Sequence, residues 1–161
     1  MSVKPIVYIE SSVVSYLTSR PSADPIKSAW QAVTTQWWNT KLEQVTACIS
    51  PYVIEEVSAG DPEAARQRID MIRPLTVLDT NAEIEALADF LLLGGGLPPK
   101  ARFDAPHIAC AAHHNVNIVM TWNFKHIANP VQLPVMRGLC AARGYRLPEL
   151  VSPLEMMENL Q

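Results

Sequence analysis

Apolar residues along this chain come in short unbroken runs separated by longer stretches with a helical repeat. Pro5 to Ile9, Val45 to Ile49, Leu75 to Leu78 and Asn117 to Thr121 are compact, β-branched and continuously apolar, and Leu150-Val151-Ser152 is a fifth such candidate. That pattern predicts strands buried on both faces, as in a parallel sheet. The stretches between them read as helices. One short helix follows Glu10 to about Leu17. Asp24-Pro25 opens a second to about Trp38, with an N-cap and proline at the first helical position. Ser50-Pro51 starts another that stops at Gly60, and Asp61-Pro62 repeats the device to about Arg73. Asn81 to Leu93 and Ala105 to His114 are helical, and Ser152-Pro153-Leu154-Glu155 has capping-box spacing for a terminal helix. The stretch after Thr121 is looser and predicts no element before Leu150. Strands alternating with helices imply βαβ units and a mostly parallel sheet covered on both faces.

The 161 residues suit one domain spanning 1–161, with no repeat, linker or low-complexity segment. A hydrophobic share of 48% against 18% charged is ordinary for a globular chain. The net charge of −3 excludes a large cationic surface of the kind that dominates duplex DNA binding, but leaves RNA open, because a bound cation and a few lysines can hold phosphate. Cys48, Cys110 and Cys140 are odd in number and widely spaced, so neither a disulfide framework nor a zinc ribbon is indicated and a reduced, cytoplasmic setting is expected. No apolar run approaches membrane length and the N-terminus lacks an export-signal core, so neither export nor insertion is expected.

In open parallel sheets ligands bind outside the carboxyl ends of the strands. Glu10 follows the first strand, Thr121 and Asn123 follow the fourth, and Asp104 opens the helix leading into the fourth. In the helix after the second strand, Val53, Ile54 and Val57 define an apolar face. Glu55 points nearly opposite, a solvated charge, while Glu56 lies about 107° from the centre of that face, on its border, from which it can reach a cleft. Carboxylates that converge repel one another, so they gather only where positive charge compensates. Hard oxygen donors suit Mg²⁺ or Mn²⁺, which can bridge to phosphates.

Tyr8-Ile9-Glu10-Ser11-Ser12-Val13-Val14-Ser15-Tyr16-Leu17, Asp104-Ala105-Pro106-His107-Ile108-Ala109 and Thr121-Trp122-Asn123-Phe124 resemble the PIN-domain family, and its bacterial VapC-like branch in particular. The likeness extends to Ile49–Gly60 and to Gly144–Glu149. It implies a three-layer α/β/α sandwich with a five-stranded, mostly parallel sheet. It also implies a Mg²⁺- or Mn²⁺-dependent ribonuclease acting on RNA, often as the toxin of a toxin–antitoxin pair, with a protein antitoxin and a homodimer as expected assemblies. The acidic positions of the family fall on Glu10, Glu56, Asp104 and Asn123, and its small hydroxyl residues near the metal on Ser12 and Thr121. Two departures stand out. The first position is usually aspartate, and the extra methylene of Glu10 moves its carboxylate by about 1.5 Å. The fourth is usually aspartate too, whereas Asn123 offers a carbonyl oxygen without charge. These departures motivate an alternative: a weak or inactive PIN-like module that binds RNA or a protein. A nucleotide-binding α/β domain ranks last, since no glycine fingerprint follows a strand.

Other features have plainer readings. Lys100, Arg102, Lys125 and His126 flank the acids in sequence and could meet RNA phosphates, or be ordinary surface charges. His107, Cys110 and His114 share a helical face and invite a zinc site, but no fourth ligand is apparent and core roles are expected. Trp37 belongs to the core, while Trp38 points off that face, either to contact an antitoxin or a second subunit or to sit partly buried at the surface. Gly94-Gly95-Gly96 follows a helix and lacks a GK[ST] ending, so it is a loop and not a phosphate cradle.

Overall fold

Five short apolar segments pair side by side into one parallel sheet in the computed structural model, which describes residues 3–159. The strands are β1 (Ile6–Ile9), β2 (Thr46–Ile49), β3 (Thr76–Val77), β4 (Ile118–Met120) and β5 (Glu149–Val151), in the order β3-β2-β1-β4-β5. Register is set by pairs such as Tyr8 with Cys48 and Val119, and Met120 with Val151. β1 is central, and Val7, Tyr8 and Ile9 are fully buried, which explains its lack of alternation.

Among the described residues eight α-helices cover the sheet to give a three-layer α/β/α fold: α1 (Ser11–Thr18), α2 (Pro25–Lys41), α3 (Pro51–Val57), α4 (Pro62–Ile72), α5 (Ala82–Leu93), α6 (Ala105–His113), α7 (Leu133–Ala142) and α8 (Pro153–Asn159). α2 packs on α1 and α8, while α5 packs on α6 and α7. The expected caps are made. Asp24 Oδ1 accepts from the Ile26 and Lys27 amides at 2.8 and 3.3 Å, and Asp61 Oδ2 from Ala64 at 3.0 Å. Ser152 and Glu155 form a reciprocal capping box at 3.0 and 3.2 Å. Gly60, at φ +88°, takes the left-handed conformation that ends the α3 segment.

Two expectations need correction. The stretch after Thr121 holds a full helix, α7, where no element was expected. Its N-cap, Gln132, makes no side-chain cap bond, and Gly138 lies in its interior, so its local signal is weak and burial of Met136 and Cys140 holds it instead. The glycine run is a loop, as expected, and a Cβ on Gly94 would come within 2.6 Å of Leu139, so the run also lets α7 approach closely. Trp38 is not free for a partner. It is 8% exposed and lies in the core edge-on to Trp37, with ring centroids 6.5 Å apart. Among the described residues no helix is long and apolar enough to cross a membrane.

Candidate active site

The chain runs β1, β2, β3 to one side and then returns through β4 and β5 on the other, so the strand order reverses between β1 and β4. Glu10 leaves β1 and Thr121 leaves β4 at that switch point, where open α/β sheets place their crevice. Glu10 is 5% exposed and caps α1 with its side chain. Its Oε2 accepts from the Ser12 amide at 3.0 Å, and its Oε1 accepts from the Ser12 hydroxyl at 2.5 Å and the Thr121 hydroxyl at 2.6 Å. The extra methylene is used to fold the carboxylate back over its own helix. Both sequence-predicted hydroxyls, Ser12 and Thr121, therefore contact it. Ser12 Oγ also accepts from the Trp122 amide at 2.9 Å, and Thr121 Oγ1 from the Asn123 amide at 2.9 Å, which ties the loop after β4 to the start of α1.

Trp122 is locked between those two site residues. Its ring stacks on Trp30 at 4.6 Å and 11°, with Tyr16 and Phe124 edge-on, and its indole N–H donates to Thr34 Oγ1 at 2.8 Å. The apolar face of α2 thus positions the loop after β4 as well as the core.

Asp104 occupies the N-cap position of α6 but does not cap it. Its Oδ1 accepts from Asn123 Nδ2 at 3.3 Å and its Oδ2 pairs with His126 Nδ1 at 3.0 Å. Asn123 Oδ1 accepts from the His126 amide at 2.9 Å, which fixes the orientation of its amide group and turns the nitrogen towards Asp104. Asn123, expected either as an outer oxygen ligand or as a turn-forming asparagine, accepts with its oxygen from the amide three residues on and donates its side-chain N–H to the third acid. His126, grouped with the surface cations in the sequence, is an inner partner of Asp104.

Glu56 stands on α3 with its side chain 40% exposed. Its Oε1 accepts from Ser11 Oγ at 3.0 Å and pairs closely with His107 Nε2. Burial raises the pKa of Glu56, but the His107 contact and the Ser11 hydroxyl outweigh it and hold the carboxyl below its ordinary value. His107 is the residue the sequence reading assigned only to the core. It is fully buried, and burial alone would lower its pKa. The hydrogen bond to Glu56 and the negative field of Glu10, Glu56 and Asp104 together raise it. One imidazole therefore feels all three acids. Its signal in the sequence was position: i+3 from Asp104 on an alanine-rich helix, the face that turns under the site. The zinc grouping does not form, because His114 Nε2 instead meets the Asp79 carbonyl at 2.7 Å.

Glu56 also borders an open groove of about 600 Å³ lined by Tyr52, Glu55, Ala59, Phe103 and Pro106. Glu55 is exposed there, as expected. Lys100, Arg102 and Lys125 are exposed and make no ion pair among the described residues, and the Arg102 guanidinium lies 4.8 Å from the Phe103 ring centre.

Among the described residues no three His, Cys, Asp or Glu side chains form a ready-made metal cluster. The chemistry of the donor set nonetheless suits a hard divalent cation: Glu10 is tied to Asp104 through Thr121 and Asn123, its chain neighbour Ser11 holds Glu56, and Glu56 Oε2 has no protein partner among the described residues.

Solved structures with the same fold exist. A chain of the FitAcB structure from Neisseria gonorrhoeae matches with a TM-score of 0.57 at 12% identity, covering 92% of this chain and 98% of that one. A chain of VapBC-1 from nontypeable Haemophilus influenzae matches with a TM-score of 0.56 at 14% identity and the same coverage. One of VapBC2 from Rickettsia felis, bound to a promoter DNA fragment, gives 0.54 at 16%, covering 91% and 98%. This chain has the VapC-like PIN fold. No protein-family model matches the sequence, and no curated protein matches it significantly. At these identities the likeness to the VapC-like structures is one of architecture.

Proposed function

We propose that this chain is a metal-dependent endoribonuclease, hydrolysing RNA phosphodiester bonds, and the toxin half of a type II toxin–antitoxin pair. The observation that carries the reading is that Glu10 stands at the switch point of a VapC-like sheet, linked to Asp104 through Thr121 and Asn123, while Ser11, next to Glu10 in the chain, holds Glu56. The solved neighbours are VapBC and FitAB complexes, which supports a protein antitoxin as partner. Mg²⁺ or Mn²⁺ is the cofactor of this reading, and Glu10, Glu56 and Asp104 are the residues that would hold it. When bound, such an ion polarises a phosphate oxygen and lowers the pKa of a water nucleophile. The chain's own part is to hold those acids oriented, through Ser12 and Thr121, His107 and Ser11, and Asn123 and His126. Lys100, Arg102 and Lys125, in the segments that lead into Asp104 and out of Asn123, offer charge to the RNA backbone. A cytoplasmic location and a homodimer belong to the same reading.

Purified protein incubated with RNA and Mn²⁺ or Mg²⁺, beside Asp104→Ala, tests it. Cleavage by the unmutated protein alone is expected, and equal cleavage by both would overturn it. Expression without a partner should likewise slow growth, and Asp104→Ala should relieve this.

A second reading, an inactive module that binds RNA or protein, draws on one observation: each acid already has protein donors, and Asn123 adds no charge. Calorimetric titration of the folded protein with Mn²⁺ separates the two, since absence of binding heat favours the module.

A further inference from the structure

We infer that His107 is a positioning residue: it fixes the Glu56 carboxylate in one orientation, and Tyr8 and Ser50 fix the proton with which it does so. The part of the claim that concerns a bound cation rests on the nuclease reading above, while the positioning itself does not.

Glu56 is a long side chain on the open side of α3, and without partners it would sample many rotamers. Two donors converge on one of its oxygens. Ser11 Oγ and His107 Nε2 both meet Oε1, which leaves Oε2 without a protein partner among the described residues. The carboxylate is thus held by one oxygen and presents the other.

Behind His107 runs a buried chain of hydroxyls. Nδ1 lies 2.6 Å from the Tyr8 hydroxyl, which lies 2.7 Å from Ser50 Oγ, and that oxygen also accepts from the Tyr52 amide at 3.2 Å. Tyr8, Ser50 and His107 are all fully buried, so each proton must find an acceptor within the chain. With the imidazole neutral, one order satisfies every atom. Ser50, whose only hydroxyl-side acceptor among the described residues is Tyr8, donates to the phenol. The phenol then donates to Nδ1, and the imidazole proton is left on Nε2, facing Glu56. The reverse order strands the Ser50 proton in a buried site. This is how supporting shells around metal sites commonly work: a partner behind the ring sets the tautomer, and the tautomer orients the ligand.

The test has two readouts on the full-length protein. The first needs no metal. With ¹⁵N-labelled histidine at mildly alkaline pH, the imidazole nitrogen shifts of His107 should report the Nε2–H tautomer. Tyr8→Phe, which removes one hydroxyl and keeps the ring, should convert this to a mixture. An Nδ1–H tautomer in the unmutated protein, or no change in Tyr8→Phe, overturns the inference. The second is Mn²⁺ affinity by calorimetry. His107→Asn can still meet Tyr8 but cannot reach Glu56, and about 10–100-fold weaker binding is expected, the usual effect of losing a supporting partner. His107→Gln, which returns an N–H near the position of Nε2, should recover most of it. Unmutated protein that binds Mn²⁺ and a folded His107→Asn that binds it equally well would overturn the inference. Where His107→Asn does not fold, Tyr8→Phe carries the affinity test, with a smaller fall expected and an unchanged affinity counting against the proposal. If the unmutated protein binds no Mn²⁺, the nuclease reading fails, and the positioning role is then decided by the nitrogen shifts alone.

Discussion

The Thr121 hydroxyl lies 2.6 Å from the Glu10 carboxylate, across the point where the strand order reverses. The same oxygen accepts from the Asn123 amide at 2.9 Å. One side-chain hydroxyl therefore joins the ends of two neighbouring strands and sets where the first acid and the Asn123 loop sit relative to each other. Thr121→Val keeps the shape of the residue and removes both bonds, leaving a buried carboxylate short of a donor and a backbone N–H short of an acceptor. A loss of about 1–3 kcal/mol is expected, read from denaturant unfolding. An unchanged midpoint would show that Glu10 finds an equivalent donor elsewhere.

The Trp30–Trp122 stack leads to a second prediction. Trp122 is 5% exposed, parallel to Trp30 at 4.6 Å and hydrogen-bonded to Thr34. Trp122→Ala should cost about 3–5 kcal/mol, as large aromatic truncations in cores do. Because its neighbours in sequence are Thr121 and Asn123, it should also weaken Mn²⁺ binding. Trp122→Phe should lose less stability and retain that affinity. Equal affinity in both variants would separate the stack from the site.

The fold was legible because its signals are local. Asp24-Pro25, Ser50-Pro51, Asp61-Pro62 and the Ser152–Glu155 box all mark real helix starts, and the unbroken apolar runs mark buried parallel strands. α7 was not legible, because Gln132 gives no side-chain cap, Gly138 interrupts its interior, and what holds it is the burial of Met136 and Cys140 against distant elements, with Leu139 close over Gly94. The site divides in the same way. Glu10, Ser12 and Thr121 could be placed, since strand ends can be read from sequence. The roles of His107 and His126 depend on which atoms face them from elements distant in sequence, 51 residues for His107 on Glu56 and 22 for His126 on Asp104, and periodicity alone assigns such a residue only to a face.

The Glu56–His107 pair predicts a pH dependence of stability in metal-free protein. The His107 pKa is raised above its ordinary 6.5, so its contribution is fully present below that value and is lost as pH rises through the folded-state value. The Glu56 pKa is lowered from its ordinary 4.5, so its contribution is present above that value and is lost as pH falls through the folded-state value. Both act together between pH 4.5 and 6.5. Unfolding midpoints measured across pH for the unmutated protein and Glu56→Gln should differ most in that window and converge on either side. A constant difference across the range would mean that the pair contributes through packing and not through charge.

Asn123→Asp tests what the missing fourth charge does. Asn123 Nδ2 donates to Asp104 at 3.3 Å, so an aspartate would replace a donor with a second carboxylate facing the first. His126 is the imidazole on hand to compensate, and it already serves Asp104 Oδ2. In metal-free protein the variant should therefore be less stable by about 1–3 kcal/mol, the cost of an acceptor that loses its donor. With Mn²⁺ present the sign should reverse, because four carboxylates repel one another less when a cation lies between them, and binding to the folded state adds to its stability. The measurement is the unfolding midpoint of both proteins with and without saturating Mn²⁺. If Mn²⁺ raises the midpoint of the variant no more than that of the unmutated protein, position 123 does not face the cation, and the reading of Glu10, Glu56 and Asp104 as a complete ligand set is strengthened.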